Sequence, residues 1–115
     1  MAATKKVLVV DDNLQIGSLI QRILDREGFD VTTVSTPQDA LAWCEQNGLP
    51  DLLLSDVKMP QMSGPELSRQ LKELHGDFAV VFMSGFPGDE NEDIVPLLPK
   101  PFNREELIAA INAIL

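Results

Sequence analysis

Leu52-Leu53-Leu54-Ser55-Asp56-Val57-Lys58-Met59-Pro60 is the stretch whose reading decides the fold. A run of leucines and a serine carries an aspartate at its end, and a proline closes the segment four residues later. Continuous apolar runs of this length mark strands buried on both faces, as in parallel sheets, rather than the alternating strands of half-solvated ones. Asp56 falls where the strand gives way to a loop. In open α/β sheets ligands bind beyond the carboxyl ends of the strands. A lone aspartate there could equally cap the next helix. Its meaning depends on what other strands bring to the same edge.

Working outward, Lys5 to Val10 is a second apolar, β-branched run, and it ends in Asp11-Asp12. Asn13 is placed to cap a helix running to about Glu27, with Ile16, Leu19, Ile20, Ile23 and Leu24 on one stripe and Gly28 as its stop. Leu14 falls off that stripe and reads as a surface leucine. Asp30 to Val34 alternates enough to be an edge strand. Thr36-Pro37-Gln38-Asp39 opens a helix whose apolar face is Ala40, Leu41, Trp43 and Cys44, all read as packing residues. Ser63-Gly64-Pro65-Glu66 opens another, with Leu67, Leu71 and Leu74 expected inward and His75, to which no catalytic role is given, at its C-terminus. Phe78 to Met83 is a fourth strand, ending in Ser84-Gly85. Residues 86–93 are polar and turn-rich, without a helical stripe. A short strand is expected around Leu97-Leu98, between prolines, followed by Lys100-Pro101. Asn103 and Glu106 form a capping-box pattern before a last helix carrying Leu107, Ile108, Ile111, Ile114 and Leu115.

Five strands alternating with four clear helices predict an α/β, flavodoxin-like, doubly wound parallel sheet in the order 2-1-3-4-5, as one domain over residues 1–115. Asp11, Asp12, Asp56, Ser84 and Lys100 then all arrive at one edge. Three carboxylates together repel unless a cation holds them, and oxygen donors without His or Cys suit a hard ion such as Mg²⁺. A lysine opposite suits phosphate oxygens. Together with a hydroxyl, these groups suit phosphoryl transfer, with one carboxylate as the nucleophile and Asp56, on the central strand, the best candidate.

The remaining composition narrows the class. The net charge of −9 disfavours direct binding to a nucleic-acid backbone. No apolar stretch is long enough to span a membrane. The single cysteine and the absence of an export signal point to the cytoplasm.

Val7-Leu-Val-Val-Asp-Asp-Asn13, Leu53-Leu-Ser-Asp-Val-Lys-Met-Pro-Gln-Met-Ser-Gly64, Phe82-Met-Ser-Gly85 and Lys100-Pro-Phe102 occur in the order of the motifs of one family. The chain resembles, over essentially its whole length, a receiver domain of the two-component response regulators. The resemblance implies that Asp56 accepts a phosphoryl group from a phosphohistidine on a histidine kinase or histidine phosphotransfer domain. It implies Mg²⁺ held directly by Asp12 and Asp56, mostly through water by Asp11, and by the Lys58 backbone carbonyl. Lys100 pairs with the phosphoryl group, Ser84 bonds one of its oxygens, and Lys100–Pro101 is a cis peptide. The module is a signalling domain rather than an enzyme, either a single-domain regulator or the receiver of a hybrid kinase; Phe82-Met-Ser-Gly-Phe-Pro87 is similar to receivers at the ends of such kinases.

Two departures stand out. Ser84 and Lys100 are only sixteen positions apart, so the family's fourth helix is expected to be missing or reduced, with signalling through ordering of residues 86–96. Leu97 stands where the family has an aromatic switch residue. Phe86 is expected to hinder an attacking water at the phosphoryl site. The competing readings are a pseudo-receiver that binds partners without phosphorylation, and a small aspartyl-phosphate hydrolase. The hydrolase would need an acid at position 58, where this chain has lysine.

Overall fold

A computed structural model describes residues 4–85 and 96–115. Its elements are β1 (Lys6–Val10), α1 (Leu14–Arg26), β2 (Asp30–Val34), α2 (Pro37–Asn47), β3 (Leu52–Asp56), α3 (Gly64–His75), β4 (Ala79–Ser84), β5 (Leu97–Pro99) and α4 (Arg104–Ile114). All four strand pairings are parallel, and the five strands run in the order β2-β1-β3-β4-β5. β3 is central, and all five of its residues are buried. The continuous leucine run reflects this position, because helices cover both faces of the sheet.

Alternate side chains on each strand go to opposite faces, and the core is accordingly two clusters. Val7, Val9, Leu52, Leu54, Val81 and Met83 pack with Ile20 and Leu24 of α1 and Leu107 and Ile111 of α4. Leu8, Val10, Leu53, Val80 and Phe82 pack with Ala40 and Cys44 of α2 and Leu67 and Leu71 of α3. Burial in that second layer pushes the Cys44 thiol up to about 11, so it behaves as a small apolar residue.

Each helix begins at the expected cap. The side chains of Asn13, Thr36, Ser63 and Asn103 accept hydrogen bonds from backbone N–H groups in the first turns of α1 to α4, and Asn103 with Glu106 completes the capping box. Gly28, with φ 91°, turns the chain after α1. The Lys100–Pro101 peptide is cis.

Three stripes are narrower than the sequence suggested. Leu19 is 47% exposed and Leu74 67%, so neither is an inward core residue, and Ile114 and Leu115 are exposed at the end of α4. One buried turn-to-turn line per helix suffices against this sheet. Leu14 is exposed, as expected. The expectations of a missing fourth helix, of an ordering segment at 86–96 and of a role for Phe86 fall wholly or mainly on residues 86–95, outside the described residues. Leu97 begins β5, half-buried, paired with Phe82. Among the described residues, no helix is long and apolar enough to cross a membrane.

Candidate functional site

The switch in strand order lies between β1 and β3, which run side by side with Val10 opposite Ser55. Each ends in acid: Asp11 follows β1 directly, and Asp56 is the last residue of β3. Carboxylate oxygens of Asp11, Asp12 and Asp56 all lie within 4.8 Å of one another. Asp11 is buried, Asp12 exposed and Asp56 8% exposed, so the cluster opens to solvent on one side. This is an all-oxygen donor set with a solvent-facing member, and it fits a hard divalent cation that retains part of its water shell.

Lys100 closes the pocket from the far side. It follows β5, whose pairing sets Pro99 against Ser84 at the end of β4. Its backbone N–H donates to the Ser84 carbonyl at 2.7 Å. Its aliphatic stem passes over Gly85, where an added Cβ would stand 3.8 Å from the lysine Cβ. The Nζ then reaches Asp11 Oδ2 at 2.9 Å and Asp56 Oδ1 at 3.2 Å. The other oxygen of Asp11, Oδ1, accepts the Asn13 N–H at 2.9 Å, which holds this carboxylate in place.

The electrostatics follow from burial and like charge. Burial and the Asp11 charge push the Asp56 carboxyl up to about 6, against the opposing pull of Lys100, and Asp12 adds to the rise. Burial works against the Lys100 ammonium, but its hydrogen bond to Asp11 and the two carboxylate charges outweigh it and raise its pKa. Burial and the neighbouring acids thus hold the Asp56 carboxyl above the usual carboxylate range.

Of the sequence-predicted residues, Asp11, Asp12, Asp56 and Lys100 come together directly. Ser84 is buried at the same edge, next to Met83, the β4 residue paired with Asp56. Lys58 lies two residues past Asp56 with an exposed side chain. Two residues at this site escaped the sequence reading. Ser55 is completely buried and donates its hydroxyl to the Asp56 carbonyl at 3.0 Å. Gly64 lies against the same carbonyl, and a Cβ there would stand 2.2 Å from it. The available signal was a hydroxyl interrupting an otherwise apolar buried strand.

The comparisons agree with this geometry. The model of the response regulator receiver domain matches residues 7–112. The chain belongs to the response regulator receiver domain family. It is similar to the transcriptional regulatory protein CpxR of Klebsiella pneumoniae, 38% identical in an alignment that covers 96% of this chain and 49% of that protein. The sensor kinase CckA of Brucella abortus is 31% identical across 100% of this chain but only 13% of its own length. Among solved structures, the chemotaxis response regulator CheY4 of Vibrio cholerae superposes with a TM-score of 0.85 at 27% identity, covering 98% of this chain and all of that one. This receiver spans about half the length of CpxR and a small part of CckA. Receiver domains are signalling modules of two-component systems, and this receiver carries an acidic cluster in Asp11, Asp12 and Asp56.

Proposed function

We propose that residues 1–115 form one phosphoacceptor receiver domain of a two-component phosphorelay, with Asp56 taking the phosphoryl group from a phosphohistidine on a histidine kinase or histidine phosphotransfer domain. The observation that supports this most is the Lys100 ammonium set between Asp11 and Asp56, 2.9 and 3.2 Å away, beside a third carboxylate. Elements distant in sequence converge on one carboxyl, with a lysine and two further carboxylates beside it.

In the transfer, an Asp56 oxygen bonds to phosphorus as the P–N bond to the partner's imidazole breaks. The electron pair of that bond leaves with the nitrogen. Lys100 faces the phosphoryl oxygens and offsets their charge, while the Ser84 hydroxyl donates to one of them. Asp12 and Asp56 directly, Asp11 mostly through water and the Lys58 backbone carbonyl would hold Mg²⁺, which when bound supplies further charge neutralisation. The domain acts as a cytoplasmic signalling module rather than an enzyme. It is a single-domain regulator or the receiver of a hybrid kinase, and its net charge of −9 favours protein partners over direct nucleic-acid contact.

Incubation with acetyl phosphate, with and without Mg²⁺, tests this by intact mass. A gain of one phosphoryl group that requires Mg²⁺ is expected. No gain under either condition would make the chain a phosphorylation-independent interaction module.

A further inference from the structure

The hydroxyl of Ser55 calls for an explanation of its own. It sits in β3 after three leucines, on the strand most enclosed by the two helical layers, with no exposure to solvent. An aliphatic residue would fill such a position without a polar group to satisfy. Ser55 meets that requirement by donating to the backbone carbonyl of Asp56 at 3.0 Å. Its acceptor therefore belongs to the residue whose carboxyl forms the centre of the site.

A second contact falls on the same atoms. A Cβ built on Gly64 would lie 2.2 Å from the Asp56 carbonyl oxygen and 3.0 Å from Ser55 Oγ. Only glycine lets the first residue of α3 come so close to the end of β3. Gly64 also donates its N–H to the Val57 carbonyl at 2.8 Å, and Val57 donates its own N–H to Met83 of β4 at 2.9 Å. Residues 55–57 are thus held from three directions: by the Ser55 hydroxyl, by the start of α3 and by β4.

We propose that Ser55 is a positioning residue for phosphoryl transfer: its buried hydroxyl, packed against Gly64, fixes the Asp56 peptide and thereby the direction in which the Asp56 carboxylate leaves the strand. This rests on Asp56 being the phosphoacceptor. Transfer rates are sensitive to displacements of the nucleophile that fold stability scarcely registers. Removing the hydroxyl takes away one of these three restraints and loosens the Asp56 carbonyl, while the Val57–Met83 bond and the leucine packing of β3 stay in place.

The test compares wild type, Ser55→Ala, Ser55→Thr and Asp56→Asn for phosphorylation by acetyl phosphate at saturating Mg²⁺, across donor concentrations, with thermal midpoints measured alongside. Ser55→Ala is expected to lower the maximal rate constant about fivefold or more while leaving the half-saturating donor concentration within about twofold. Ser55→Thr, which keeps the donor, is expected to restore most of the rate. If Ser55→Ala does not fold, Ser55→Cys, of similar size and a much weaker donor, takes its place with the same expectation. A maximal rate constant unchanged in Ser55→Ala would overturn the proposal. So would an equal loss in Ser55→Thr, or a change confined to half-saturation. These outcomes presuppose a wild type that is labelled and an Asp56→Asn that is not. Failure of that baseline instead defeats the assignment of Asp56.

Discussion

Two charge clusters in this molecule follow one pattern in different surroundings. In each, a single cation bridges two carboxylates. On α3, Arg69 pairs with Glu66 and, at 2.6 Å, with Glu73, along one exposed helix face. At the sheet edge, Lys100 pairs with Asp11 and Asp56 across elements far apart in sequence, in a pocket where the side chains of Asp11 and Lys100 are 0% and 16% exposed. Both clusters shift the ionisation of their members. On α3 the hydrogen bonds to Arg69 and Gln70 lower Glu66, the ordinary result of a nearby cation. In the pocket the Asp56 carboxyl rises to about 6 despite the ammonium 3.2 Å away. Water decides the difference. Exposed charges are screened and gain a little from each other, whereas buried like charges cannot be relieved by one cation. The pocket is therefore a place with an unmet need for positive charge, and the helix face is not.

The largest effect that would sharpen this comparison comes from Lys100→Met. It leaves the Asp11 and Asp56 carboxylates together without their cation, and a loss of about 2–4 kcal/mol is expected in chelator. Mg²⁺ should then stabilise the variant more than the wild type, as seen in thermal midpoints across a Mg²⁺ titration. Equal Mg²⁺ responses would break the contrast.

Next in size is Asp56→Asn in metal-free buffer. The folded-state pKa of Asp56 lies above its ordinary value of 3.8, so the folded protein holds the proton more tightly than the unfolded chain. Stability consequently falls as pH rises from about 4 to about 6, and the cost is fully present at neutral pH. Removing the charge is expected to stabilise the chain by about 1–2 kcal/mol at pH 7. Chemical denaturation at pH 7 and pH 4 checks it: the gain should vanish at the lower pH.

Smallest is Arg69→Ala. Its partners are solvated, so no measurable change in thermal midpoint is expected, at low or high salt. A clear destabilisation would show that exposure is not what separates the two clusters.

Much of this was legible in the sequence because the signals were local. The leucine run gave the central strand, Asn13, Thr36, Ser63 and Asn103 gave the helix starts, and the carboxyl ends of the strands gave the site. What the sequence left out depends on distance between elements. Helical spacing counts Leu19 and Leu74 as core, but only the width of the contact with the sheet tells that both stay in solvent. Spacing brings Lys100 to the right edge but does not tell that it bonds Asp11 as well as Asp56, which depends on the path of its stem beside Gly85. Ser55 looked like one more strand residue, since nothing in the order of amino acids says that Gly64 returns to touch its neighbour's carbonyl.

The central claim is that Asp56 is the carboxyl that reacts. After treatment with acetyl phosphate and Mg²⁺, borohydride reduction and tandem mass spectrometry locate the acyl phosphate by residue. One modified position, residue 56, is expected, with no label in Asp56→Asn. Label at another acid, or undiminished label in Asp56→Asn, would contradict it.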